Sequence, residues 1–258
     1  MSTPRNRLDG KVAIVTGAGM GMGAATARVM AGYGASVIVA DINAEAAEAI
    51  AASIREAGGA AHAAVCDVAD EDQVRAMIAE TVRTFGKLDC AVNNAAITPD
   101  VLPIAEADMA VWDRVIDVDL RSVMLCMKHE IGQMLAQGQG GAIVNVGSVS
   151  SLRPQPANSA YVAAKHGVIG LTKTGSLEYA PHGIRVNAVL PGAIDTPMLR
   201  AALEFNNFTE AEFAPQLSLL VRFGKPEEVG EASAWLCSDA SSYVTGHALA
   251  VEAGYLTR

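Results

Sequence analysis

The feature that most constrains this chain is the make-up of its short apolar runs. Seven of them, residues 11–15, 36–40, 61–65, 88–92, 142–146, 184–190 and 246–251, are apolar on successive positions and not only on every second one. Side chains alternate between the two faces of a strand, so runs of this kind suit strands buried on both faces, as in a parallel sheet covered by helices. Between them lie Ala- and Glu-rich stretches of helical length, such as 44–57 and 71–85. Strand and helix in alternation imply right-handed βαβ crossovers and a doubly wound α/β fold of Rossmann type, with a seven-stranded parallel sheet flanked by helices. No internal repeat, low-complexity tract or Pro/Ser linker divides the 258 residues, so one domain over 1–258 is expected.

Composition narrows the function classes. Hydrophobic residues make up 51% and charged residues 18%, enough apolar surface for a sizeable core and too much for a disordered chain. A net charge of -9 repels a phosphate backbone, so no nucleic-acid partner is expected. The four cysteines, Cys66, Cys90, Cys126 and Cys237, show neither CxxC pairing nor metal-ligand spacing, so no metal is expected and buried thiols in a reducing compartment are. The first ten residues lack the apolar segment of a signal peptide, and no apolar run reaches the ~20 residues of a membrane helix. A cytoplasmic location with no membrane partner follows as the expectation.

The first apolar run leads into Thr16-Gly17-Ala18-Gly19-Met20-Gly21-Met22-Gly23, after which helical residues begin. Glycines at such a turn let pyrophosphate oxygens approach the amides of a helix N-terminus, although the same glycines also ease strand-to-helix packing. Asp41 ends the second run, 24 residues beyond Gly17. That is near the ~20-residue offset of the carboxylate that binds an adenosine ribose diol. A carboxylate there would repel the 2′-phosphate of NADP, and no Lys or Arg in the turn or just after Asp41 offsets it, so NAD is the expected cofactor. The other reading of Asp41 is a cap for the helix that starts at Ala44. Cys66-Asp67-Val68 and Asn93-Asn94-Ala95-Ala96 end the next two runs, at the sheet edge where ligands bind open α/β folds, and both also suit ordinary turns. Tyr161 and Lys165 stand at i and i+4 and share a helix face, while Ser148 ends the fifth run, 13 residues before Tyr161.

Taken together, Thr16-Gly17-x-x-x-Gly21-x-Gly23, Asn93-Asn94-Ala95, Ser148, Tyr161-x-x-x-Lys165 and Pro191-Gly192 stand in family order, and the chain resembles a short-chain dehydrogenase/reductase of the ~250-residue type over nearly its whole length. The resemblance implies an NAD(P)-dependent alcohol dehydrogenase or ketone reductase acting on CH–OH donors. It implies Tyr161 as general acid/base, Lys165 as the group that lowers the tyrosine pKa and holds the nicotinamide ribose, and Ser148 as the donor to the substrate oxygen. Free tyrosine titrates near ~10, and an ammonium within ~4–6 Å favours its phenolate, which agrees with those roles. For the cofactor the resemblance implies Gly17, Gly19, Met20, Gly21, Met22 and Gly23 at the turn. It places Asp67 and Val68 at the adenine, Asn93 in the cofactor ribose region, and Ile194 and Thr196 at the nicotinamide amide. Asp41, Ile42, Ala95, Pro191 and Gly192 complete the implied cofactor-binding set, with Asp41 at the adenosine ribose. A homotetramer or homodimer is also implied, with the helices carrying Asp119 and Tyr161 at one interface.

Three positions depart from the family pattern. Asp119 replaces an asparagine whose backbone holds a water linking the lysine to solvent; its carboxylate either pairs with Lys165, as part of the catalytic group, or faces away and is incidental. Ala96 replaces a glycine beside the cofactor. Glu252-Ala253-Gly254 stands where Asp-Gly-Gly is usual.

Residues 195–223, between the sixth and seventh runs, read as an irregular segment where a substrate lid would sit. It offers Met198, Leu199, Leu203, Phe205, Phe208, Phe213 and Leu217, as pocket wall or as hinge packing. Its charge balance is acidic, with Arg200 and Arg222 against Asp195, Glu204, Glu210 and Glu212. A neutral substrate, a cyclic or bulky apolar secondary alcohol or ketone, is expected ahead of a 3-oxoacyl thioester, which would want a basic landing surface. A non-catalytic NAD-binding protein is the reading from another class, and the retained Tyr161 and Lys165 speak against it.

Overall fold

A computed structural model gives the fold and describes residues 7–97, 101–205 and 207–257, with the backbone alone for Phe205. Seven parallel strands form one sheet in the order β3-β2-β1-β4-β5-β6-β7. They are β1 (Val12–Thr16), β2 (Ser36–Asp41), β3 (Ala60–Val65), β4 (Cys90–Asn93), β5 (Gly141–Val146), β6 (Ile184–Pro191) and β7 (Ala248–Val251). The two-faced apolar pattern is used as expected. Ala13, Val15, Val37 and Val39 point into a core shared with α1 (Gly21–Gly32), α2 (Ala44–Glu56) and α9 (Pro226–Cys237). Ile14, Ile38 and Ala40 point the other way, toward α3 (Glu71–Phe85), α5 (Ser122–Gln137) and α6 (Ser159–Tyr179). All four cysteines are buried free thiols. No helix among the described residues is long and apolar enough to cross a membrane.

The helices begin where local chemistry lets them. Asn43 caps α2 by accepting from the Ala46 amide, Asp70 caps α3 through the Asp72 and Gln73 amides, and Asp108 caps α4 (Met109–Ile116). The cap of α2 is therefore Asn43 and not Asp41. Between α4 and α5 the chain makes one π-helical turn, Asp117–Arg121. The wider turn changes the phase of the helix and turns Asp119 into the interior. The Ser122 hydroxyl donates to the Val118 carbonyl there, satisfying an acceptor within the widened turn.

Residues 195–223 are not irregular as expected. They hold α7 (Pro197–Phe205) and α8 (Glu210–Leu217). Pro197 opens the first, and Glu212 reaches back to accept from the Thr209 amide at the start of the second, the two start signals that the sequence carries.

The C-terminal departure has a backbone cost. Ala253 lies at φ 52°, in the left-handed region. That conformation costs a non-glycine residue ~1–2 kcal/mol, part of which glycine would return through its freer unfolded chain. Ala253→Gly is expected to raise stability by up to about 1 kcal/mol, read as a higher denaturant midpoint at unchanged slope. An unchanged or lower midpoint would contradict the strain.

Candidate active site

The sheet order reverses between β1 and β4, and a crevice opens there beyond the carboxyl ends of the strands. The turn from β1 into α1 is closely packed against the end of β4. A Cβ on Gly17, which sits at φ +61°, would lie 2.8 Å from the Ala95 Cα, and one on Gly23 would overlap the Gly17 carbonyl. The two loops are tied together by Thr16, whose hydroxyl accepts from the Asn94 and Ala95 amides, and by the Asn94 side chain, which donates to the Thr16 carbonyl. Met20 precedes α1 in extended conformation with no side-chain cap, so the first amides of α1 keep free positions toward the crevice.

Asp41 ends β2 facing this turn. One of its oxygens accepts from the Gly19 amide at 2.8 Å and the other from the Asn43 amide at 2.9 Å. Each carboxylate oxygen has a second lone pair, so the group is fixed in place and still able to accept.

The resulting cleft, about 280 Å³, is lined at the turn by Gly17, Met20, Gly21, Met22 and Gly23, and beyond it by Asp41, Ile42, Asp67, Val68, Ala95 and Thr196. Ala96 also lines it, so the extra methyl is where the sequence placed it. Gly19 packs behind Asp41. Pro191 and Gly192 end β6 further along the same sheet edge, and Ile194 lines a separate cavity beside Gly224 and Glu252. Asn93 also lies off the cleft lining. It is buried, and its side chain points away from the cleft, because it shares the strand face of Ala91, which packs against α5. Its neighbours Asn94, Ala95 and Ala96 line the cleft instead. Arg114 and Val118 also line it; sequence reasoning missed both, although their i,i+4 spacing puts them on one face of a helix entering the crevice edge.

The polar group gathers at the adjoining edge. Ser148 follows β5, its hydroxyl accepting from the Ser150 amide. Ser151 donates to the Lys165 carbonyl and so fastens that loop to α6. Tyr161 and Lys165 share a face of α6, with the Lys165 Nζ 5.4 Å from the centre of the tyrosine ring. Lys165 is buried, donates to the Val146 carbonyl, and lies 3.3 Å from Asp119 Oδ2. Asp119 Oδ1 accepts from the Ile97 amide at 3.0 Å. Of the two placements open to Asp119, the structure has the paired one; the side chain does not face away. Burial works against the lysine's charge, but the Asp119 carboxylate and the Tyr161 phenol outweigh it and hold Lys165 above its ordinary value.

The apolar residues of 195–223 divide. Leu203, Ala214 and Phe223 are buried in a small core of their own with Leu199 and Phe213 against it, while Met198 lines the cleft. Phe208 stacks on Phe213, and the side chain of Phe205 lies outside the described residues. Both arginines are engaged: Arg200 with Asp195 and Glu210, Arg222 with Glu228.

A family model described as Enoyl-(Acyl carrier protein) reductase matches residues 17–256, the span from the first glycine of the turn to the C-terminal segment. The chain is a short-chain dehydrogenase/reductase. It is similar to a short chain dehydrogenase/reductase of Aspergillus oryzae, 46% identical over 96% of this chain and 95% of that protein. A 2,5-dichloro-2,5-cyclohexadiene-1,4-diol dehydrogenase of Sphingobium indicum is 44% identical over 96% and 98%, and a cyclohexanol dehydrogenase of an Acinetobacter species is 44% identical over 98% of each. Among solved structures, levodione reductase superposes with a TM-score of 0.91 at 36% identity over 96% of this chain and 98% of its own. A 34% identical Agrobacterium tumefaciens structure with bound NADP superposes at 0.89 over 99% and 100%. As a short-chain dehydrogenase/reductase the chain is an oxidoreductase that works with a nicotinamide cofactor.

Proposed function

We propose that this short-chain dehydrogenase/reductase interconverts a neutral secondary alcohol, cyclic or flanked by bulky apolar groups, and its ketone, with NAD as the hydride carrier. The observation that carries the reading is the Tyr161–Lys165 face of α6, which Asp119 ties through the Ile97 amide to the wall of a cleft lined by glycines and the Asp41 carboxylate. The cleft fits a dinucleotide, because Gly17, Gly21 and Gly23 line it at the N-terminus of α1 and the Asp41 carboxylate, held by the Gly19 amide, stands in its wall. Gly17 to Gly23 would hold the pyrophosphate, Asp41 and Ile42 the adenosine ribose, and Asp67 and Val68 the adenine. Ala95 and Thr196, which line the cleft, would face the nicotinamide half, with Pro191, Gly192 and Ile194 beyond them past the end of β6 and outside the cleft lining. When bound, the nicotinamide supplies the hydride chemistry.

The chain's own residues do the rest. Ser148 orients the substrate oxygen by hydrogen bonding. Tyr161 removes the hydroxyl proton in oxidation and returns one in reduction. Lys165 places a buried positive charge 5.4 Å from the centre of the tyrosine ring, and Asp119 positions that lysine.

The preference for NAD rests on Asp41. A 2′-phosphate would meet a carboxylate that two amides hold in place. Asp41→Ala is expected to narrow the ratio of kcat/KM for NAD over NADP by about tenfold or more, through lost diol hydrogen bonds and relieved repulsion. Equal or better use of NADP by the unmutated chain would contradict it. The neutral substrate is supported by the two engaged arginines of 195–223 and by cyclic-alcohol dehydrogenases among the relatives. The description of the matching family model favours an acyl-thioester reductase as the second reading. A panel of cyclic and open-chain secondary alcohols, their ketones and 3-oxoacyl thioesters, each with NAD(H) and NADP(H), separates the two. Turnover confined to thioesters would overturn the first.

The homotetramer or homodimer is supported by apolar surface at Met124 on α5 and at Leu177 on α6, which is 81% exposed. A strictly monomeric mass by light scattering would sink it.

A further inference from the structure

Glu130 plays no part in the site described above, yet it is fully buried in the middle of α5. Its carboxyl belongs to a polar cluster that joins four elements. Asn93 at the end of β4 uses its side-chain amide twice, donating to Glu130 Oε2 at 3.1 Å and to Asn145 Oδ1 on β5 at 3.0 Å. Asn145 donates in turn to the Thr172 hydroxyl of α6 and to the Met127 sulfur, and Thr172 donates to the Val168 carbonyl. Every N–H and O–H of the three partners is therefore spent. Two buried acceptors are left with no donor, Glu130 Oε1 and Asn93 Oδ1.

Buried acceptors without donors are costly, and two on groups already joined by one hydrogen bond form a pattern. A carboxylic acid and a carboxamide can meet in a ring, the amide N–H donating to one carboxyl oxygen while the acid O–H donates to the amide oxygen. The first half of that ring is present. A single hydrogen would complete it and satisfy both vacant positions.

We propose that Glu130 carries a proton on Oε1 and donates it to Asn93 Oδ1, closing a reciprocal acid–amide pair that pins the end of β4. Glu130 is thereby a positioning residue for the Asn94–Ala95 backbone, which packs on Gly17 and lines the cleft. The surroundings agree. The groups that face the carboxyl are Asn93 from β4, Asn145 from β5 and, one helical turn earlier on α5, the Cys126 thiol, with Cys66 beyond it. Among the described residues no cation contributes to its acidity. Burial pushes the Glu130 carboxyl up to about 8, against the smaller opposing pull of the Asn93 amide.

The sign of the pH dependence follows. The folded chain holds a proton that the unfolded chain releases near the ordinary carboxylate value of ~4.3. The stabilisation is full below that value and is lost as pH rises toward about 8. The test uses Glu130→Gln, whose amide can replace the acid O–H as donor without titrating. The denaturant midpoint of the unmutated protein is expected to fall between about pH 5 and about pH 8 relative to that of the variant, and the two profiles to run parallel above. Infrared difference spectra taken from well below to well above about pH 8 should show the carbonyl stretch of one buried carboxylic acid bleaching in the unmutated protein and missing from the variant. Glu130→Leu serves for the same subtraction if the Gln variant does not fold. Parallel midpoints throughout, or an acid band that survives both substitutions, would overturn the proposal.

Discussion

Tyr161→Phe is expected to lower kcat by ~10²–10⁴-fold while nucleotide affinity stays within about a factor of two. The substitution removes one oxygen from a face of α6 whose remaining contacts hold the helix, and it leaves Lys165 bonded to the Val146 carbonyl and paired with Asp119. The proton then has no acceptor within reach of the substrate hydroxyl, while the cleft walls at Gly17 and Asp41 are untouched. Single-turnover kinetics beside a fluorescence titration with the nucleotide separates the two effects. A variant keeping more than about a tenth of the activity would remove Tyr161 from the chemistry.

The second large effect is expected at Asp119. Its two oxygens serve different partners, the Ile97 amide and the Lys165 ammonium. Asparagine can satisfy only one. Turned so that its carbonyl accepts from Ile97, it points an amide donor at an ammonium; turned the other way, it sets N–H against N–H. Removing one member of a buried ion pair typically costs ~3–5 kcal/mol, so Asp119→Asn is expected to lose stability on that scale at neutral pH. The raised Lys165 value gives the window. The pair stabilises fully below the ordinary lysine value, and that stabilisation is lost only as pH climbs through the raised one. The acidic limb of the alcohol-oxidation profile is also expected to move to lower pH, because the positive charge of Lys165 is no longer partly cancelled. An unmoved limb in kcat/KM eliminates the electrostatic role and leaves Asp119 structural.

The sheet was legible because each strand is apolar on both faces, and the strand ends lie within two residues of the runs read from sequence. The cleft was legible in outline, since Gly17, Asp41, Asp67 and Thr196 occupy positions that strand ends dictate. The side chain of Asn93 lies off the cleft for a reason of parity, as a one-residue step along β4 moves a side chain from the cleft to the face covered by α5. The pairing of Asp119 depends on a π-helical turn, whose formation is a tertiary choice with no local signal. Glu130 did carry a signal. It lies one helical turn after Cys126 and one before Met134, on the buried face of α5, where an acidic residue needs a partner.

The separate packing of Leu203, Ala214 and Phe223 makes α7 and α8 a cooperative unit of their own. Their buried side chains meet one another and Ala193 apart from the two cores that flank the sheet, and a small separate cluster of this kind opens at a lower free energy than central strands. Such a cluster can shift as a unit beside Met198 while the backbone around Gly17 and Ala95 stays packed. Rigidity and access are assigned to different parts of the same fold.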